Sequence, residues 1–244
     1  WLFAAGLTTS VDADATVKGN VSTTVGSNGT ISGQFVGGGE AEGAGSDVSV
    51  DGSVTNTLGG GFSCAYFTPA GRTNVDARAS VGSAGNNKKV ETVFLGNGSE
   101  TASFSGFVTG AGRAYAANAD VTVYGDATLI FDGVIPNQDL YAGGYSNAAA
   151  KAQVTGTATL ELRNMKDKFA KYIYGGGNAA TAGANTDVGA AHLVFIDDQE
   201  YAGWAFGGGW AADDATASAR VSGPVSVEVT RSNLGNAYLL GGGW

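Results

Sequence analysis

The chain is patterned in short pieces. An apolar pair or single apolar residue recurs just before a triplet of small residues: Leu2-Phe3 before Ala4-Ala5-Gly6, Phe35-Val36 before Gly37-Gly38-Gly39, and Leu58 before Gly59-Gly60-Gly61. The unit returns as Phe94-Leu95 before Gly96-Asn97-Gly98, Leu140-Tyr141 before Ala142-Gly143-Gly144, and Ile173-Tyr174 before Gly175-Gly176-Gly177. Ala205-Phe206 before Gly207-Gly208-Gly209 and Leu239-Leu240 before Gly241-Gly242-Gly243 complete the series. Between triplets, Asp47-Val48-Ser49-Val50, Asp120-Val121-Thr122-Val123 and Ala152-Gln153-Val154-Thr155 alternate small apolar with polar residues. A period of two marks a strand with one buried face. Further segments such as Thr159-Leu160-Glu161-Leu162 and Val225-Ser226-Val227-Glu228-Val229 read as a third strand of the same unit.

Taken at the last residue of each triplet, the spacings are 33, 22, 37, 46, 33, 32 and 34 residues. A near-constant period with variable excess predicts a solenoid. The expectation is an all-β, right-handed parallel β-helix of about seven three-stranded coils carrying variable loop insertions. The repeats fall at 1-34, 35-56, 57-92, 93-139, 140-172, 173-204 and 205-238, with a partial unit at 239-244. Both chain ends lie at equivalent points of the repeat without a polar cap, so one solenoid domain within a longer polypeptide, or a unit joining others end to end, is expected.

Alternation in the strand before each triplet assigns faces. Leu2, Phe35, Phe94, Leu140, Ile173 and Leu239 should point inward. Two ladders should point outward: Phe3, Val36, Leu58, Leu95, Tyr141, Tyr174, Phe206 and Leu240 beside the triplet, and Trp1, Gln34, Asn56, Val93, Asp139, Tyr172, Trp204 and Tyr238 two residues earlier. Aromatics gather toward the C-terminal coils, making Tyr141, Tyr172, Tyr174, Trp204, Phe206, Trp210 and Tyr238 the candidate ligand-binding residues. The competing expectation is that loops at 99-139 or 145-172 fold over this strip and turn it into a second core. The triplets also carry two readings. Successive N–H groups in a Gly turn can cradle an anion, but Gly more simply supplies a positive φ or lets coils stack closely.

Composition narrows the function classes. Forty-one Gly against three Pro, with 43% hydrophobic and only 14% charged residues, suit turned strands with a core. A net charge of −9 disfavours nucleic acid or anionic membrane as a partner. There is no apolar run of membrane-spanning length, and one cysteine, Cys64, precludes an internal disulfide.

The repeats, as in Tyr174-Gly175-Gly176-Gly177-Asn178 and Leu240-Gly241-Gly242-Gly243, resemble the Gly-triplet β-solenoid repeats of large bacterial surface proteins of the adhesin type. The resemblance implies a secreted or cell-surface, non-enzymatic structural or adhesive module. Its partners would be an extracellular glycan or protein, or further copies of itself.

Because parallel β-helices also carry polysaccharide hydrolases and lyases, Asp187, Asp197 and Asp198 are kept as alternative catalytic carboxylates. The glycosidase pattern is incomplete here: His192 stands between the acidic motifs, and no Gly-His-Gly follows. No cofactor is expected; calcium is the one ion that the acidic pairs Asp197/Asp198, Asp213/Asp214 and Asp12/Asp14 would suit. Scattered threonines (Thr8-Thr9, Thr23-Thr24, Thr155, Thr157 and Thr159) raise ice binding as a last alternative, in no fixed repeat position.

Overall fold

A computed structural model describes residues 1–197 and 200–243. It is all-β, every coil-to-coil strand pairing is parallel, and the coils stack into a solenoid of about seven turns. Each coil contributes to four rows of strands. The leading row, ahead of the triplet, is formed by Leu2–Phe3, the ends of Thr30–Val36 and Ser63–Thr68, then Val108–Thr109, Leu140–Tyr141, Ile173–Tyr174, Trp204–Phe206 and Tyr238–Leu240. The trailing row, just after the triplet, runs Leu7–Thr8, Gly39–Ala41, Gly71–Thr73, Arg113–Ala114, Tyr145–Ser146, Asn178–Ala179 and Trp210–Ala211. These two- and three-residue strands escaped the sequence reading because two residues display no period.

The middle row contains the alternating segments Asp14–Val17, Asp47–Val50, Arg78–Val81 and Asp120–Val123 and continues into Lys151–Arg163 and Asn185–Ile196. The long row, from Val21–Val25 to Val225–Thr230, closes the coil. Between these rows lies one continuous core. Phe35, Phe62, Phe67, Phe94, Phe104 and Phe131 fill it in the N-terminal coils and Leu160, Leu162, Ile173, Leu193 and Phe195 in the C-terminal ones. Phe94 and Phe131, paired on adjacent coils, stack at 4.6 Å with ring planes 4° apart.

The observed pairing corrects the repeat in the middle of the chain. Leu58 pairs with Val25 and Phe94, so Leu58 and Phe94-Leu95 belong to the long row, and the boundaries at 57 and 93 do not divide coils. The corners of these coils are Pro69-Ala70-Gly71 and Gly110-Ala111-Gly112, one following the leading strand Ser63–Thr68 and the other Val108–Thr109. Along the leading and trailing rows successive coils are then 32 to 34 residues apart, as in Leu2 with Phe35, Arg113 with Tyr145 and Ala205 with Leu239. The exception is the step from Arg72 to Arg113. Its extra residues sit in the segment between Val81 and Val90 and in a bulge between Leu95 and Glu100.

The chain uses two kinds of glycine. Gly61 and Gly98 turn the chain at the end of the long row with φ of +72° and +108°, a left-handed conformation that favours Gly. None of the corner glycines has a positive φ, which is why Pro and Ala serve there too. The last corner position is Gly throughout (6, 39, 71, 112, 144, 177, 209 and 243) for want of space. A Cβ on Gly39 would lie 1.8 Å from Val48 Cγ1, and one on Gly177 would lie 2.6 Å from the Gly144 carbonyl oxygen and 2.7 Å from Thr186 Cβ. Leaving out the Cβ lets the trailing row close directly onto the middle row.

Candidate functional site

The corner bends the leading and trailing rows toward one another, so their outward side chains meet outside the core. Tyr141, Tyr174 and Phe206, from the leading row, form a separate cluster with Phe107, Trp204 and Trp210. Their neighbours Leu140 and Ile173 point into the core, as alternation predicted, and Ala205 does the same. The rings of Tyr141 and Tyr174 stack at 4.7 Å and 3°, and those of Tyr174 and Phe206 at 4.9 Å and 9°. These distances match the spacing of about 4.8 Å between adjacent strands. The three rings are therefore stacked along the solenoid axis, each covering its neighbour's face. They are 5%, 3% and 2% exposed. What buries them is the ladder itself and its flanking aromatics. The segments 99-139 and 145-172 are coils in their own right and contribute strands rather than a cover.

Beside this ladder opens a cleft of about 430 Å³, lined by Asp139, Tyr141, Tyr172, Tyr174, Asn178, Trp204, Phe206 and Trp210. Six of the seven candidates from sequence line it. The seventh, Tyr238, packs on Trp204 with ring centroids 4.5 Å apart. Tyr172 is 47% exposed and meets Trp204 edge to face. Because the stacked rings cover one another's faces, the buried wall presents ring edges and phenol groups to the cleft. Burial pushes the Tyr174 hydroxyl up to about 12 and the Tyr141 hydroxyl higher still, so both stay protonated hydrogen-bond donors at neutral pH. Asp139 is fixed by accepting the backbone N–H of Tyr172 at 3.0 Å. Asn178, on the trailing row, is 4% exposed and lines the cleft with Tyr141, while its Oδ1 has no donor among the described residues.

Toward the N-terminus the same groove is filled by its own side chains. Arg113, 1% exposed, lies 4.8 Å over the Phe107 ring and 5.8 Å over Tyr145, and Phe107 meets Tyr141 edge to face at 5.5 Å. One coil further on, Arg72 contacts the buried Glu40 carboxylate and lies over Tyr115. Sequence reasoning missed Arg113, Phe107 and Tyr145 because the mid-chain register was displaced. Aligning Gly112 with Gly144 would have placed them.

Other expectations fare differently. Asn56 and Leu58 are completely buried long-row residues, and Val36 is also completely buried. The anion-cradle reading of the triplets does not hold: Gly143, Gly175, Gly176, Gly207 and Gly208 donate their N–H groups to carbonyls of the next coil. Asp187 sits at the start of Asn185–Ile196 and accepts the Ser222 hydroxyl at 2.6 Å. Asp197 follows the far end of that strand, held by the Arg231 guanidinium at 2.6 and 2.7 Å, which keeps its carboxyl below the usual range. Asp198 lies outside the described residues. Asp214 accepts the backbone N–H and the hydroxyl of Thr216 within its own turn. Among the described residues, no group of three or more His, Cys, Asp or Glu side chains comes together. Outward positions of the long row read Ser22, Thr55, Glu91, Thr128, Thr159, His192 and Ser226, a threonine ladder broken by charge and imidazole.

Comparison with protein-family models, with curated proteins and with solved structures gives no match.

Proposed function

We propose that this solenoid is a non-enzymatic binding module of a secreted or cell-surface protein of the bacterial adhesin kind, and that it holds a glycan in the aromatic cleft. The observation that carries the reading is the cleft itself: a concave, preformed site of about 430 Å³ in which aromatic groups alternate with Asp139, Asn178 and three phenol hydroxyls. A ligand site of this sort joins apolar contact area with a few oriented polar groups. A sugar offers the matching surface, with C–H patches beside hydroxyls. The separate engagement of Asp187 by Ser222 and Asp197 by Arg231 supports a binding role over hydrolysis by that pair. The low charge and single cysteine support an exported setting.

A glycan array probed with the wild-type chain, with Trp210→Ala and with Trp204→Ala tests the reading. Binding to a defined set of glycans that both variants weaken is the expected result. No binding, or binding indifferent to both substitutions, would refute it.

A further inference from the structure

The cleft wall carries a specific hydrogen-bonding demand, and the inference drawn from it rests on the glycan reading above. Tyr141 and Asn178 line the cleft together, and the Tyr141 phenol, which burial keeps protonated, has a proton to give. In the same lining, Asn178 Oδ1 is an acceptor buried with its residue 96% out of solvent and without a donor among the described residues. Leaving such a group unpaired in an apolar wall is unfavourable, and a ligand that supplies the donor recovers that cost. The two groups together want a partner that accepts from Tyr141 and donates to Asn178. An alcohol does both. A carboxylate or sulfate only accepts. Asp139, the one charged residue of the lining, is also an acceptor and has no cation beside it in the cleft.

We infer that the cleft selects neutral sugars, clamping one hydroxyl between Tyr141 and Asn178, and excludes uronic acids and sulfated glycans through Asp139. The Tyr172 N–H holds the Asp139 side chain in place at 3.0 Å, so the carboxylate is a fixed part of the site. Burial keeps the Tyr141 proton on the phenol across the neutral range, as the clamp requires.

Calorimetric titration of the intact chain with neutral gluco- and xylo-oligosaccharides, oligogalacturonate and chitosan oligosaccharides tests this. A neutral oligosaccharide should bind and oligogalacturonate should not. Tyr141→Phe, which preserves the ring stack, and Asn178→Leu, whose fold is checked by circular dichroism, should each weaken the neutral ligand about tenfold, the effect of one lost buried hydrogen bond with its partner left unpaired. Asp139→Asn should keep neutral binding and reduce the discrimination against oligogalacturonate. Tight binding of oligogalacturonate or chitosan in preference to neutral sugars, abolished by Trp210→Ala, would overturn the selectivity while leaving the glycan cleft in place. Neutral binding unchanged by Tyr141→Phe and Asn178→Leu would overturn the clamp. Absence of binding by every class would take down the cleft reading and the inference together.

Discussion

Glu40 and Arg72 stand at the same position of adjacent coils on the trailing row, carboxylate to guanidinium, with the Glu40 side chain wholly out of solvent. Asn74 donates to the same carboxylate at 3.2 Å. Burial nevertheless outweighs the attraction of Arg72 and, with the nearby Glu42 carboxylate adding to it, raises the Glu40 carboxyl from 4.5 to about 7. The folded chain thus holds a proton at Glu40 more tightly than the unfolded chain does. The resulting stabilisation is fully present below about 4.5 and is lost as pH rises through about 7. Wild type should therefore gain stability over Glu40→Gln between about pH 8 and about pH 5, by roughly 3 kcal/mol at most. Urea melts of both proteins across that range measure it, and a pH-independent difference would contradict the assignment.

The corner glycines give a steric prediction. Gly177→Ala pushes a methyl group against the Gly144 carbonyl and Thr186, both within 2.7 Å, and should cost about 2 kcal/mol or more. Gly19→Ala meets nothing within 4 Å and has no positive φ, and should stay within about 0.5 kcal/mol of wild type. If both variants melt alike, close approach is not why the corner uses Gly.

Two tyrosines of the cleft separate folding from binding. Tyr174 is 3% exposed between Tyr141 and Phe206, so Tyr174→Ala removes the middle of a stack and should cost about 3 kcal/mol. Tyr172 is 47% exposed, and Tyr172→Ala should cost under about 1 kcal/mol while still weakening glycan binding. Equal destabilisation by the two would mean that the exposed ring is part of the packing.

Cys64 is buried, its Sγ within 3.4 Å of the Tyr66 carbonyl, and burial pushes its thiol up to about 12. At about pH 8 the thiolate fraction is then on the order of one in ten thousand. A disulfide reagent should label Cys64 only as fast as the coils open, with the rate rising in denaturant. Rapid labelling of the native chain would show a local opening around Ser63–Thr68.

The sequence made the solenoid legible because its strongest signals repeat: the apolar residue before each corner and the period-two middle strands. It also made most of the cleft legible, since Tyr141, Tyr174 and Phe206 stand in one register beside perfect triplets. It misled where chemistry and pattern part company. Pro69-Ala70-Gly71 makes the same corner as Gly175-Gly176-Gly177 because only the last corner position is Gly in every coil, the first two tightening to Gly only where a neighbouring backbone crowds them, as at Gly38 and Gly175, while Gly59-Gly60-Gly61 looks like a corner and ends with a left-handed turn elsewhere. Burial is hidden from the sequence for a related reason. Facing away from the core does not expose Tyr174 when an identical ring lies 4.7 Å away on the neighbouring coil.

The two insertions of the long step, the segment between Val81 and Val90 and the bulge between Leu95 and Glu100, lie on either side of the long-row stretch 90–95 and leave the corner untouched. Arg72 and Arg113 still stack in line across that irregular step. The corner thus serves as a fixed datum against which each coil is measured, and the rim opposite it absorbs differences in length. New loops grafted at Lys88-Lys89 or Asn97 would decorate the outside of the rod while the groove kept its alignment from coil to coil.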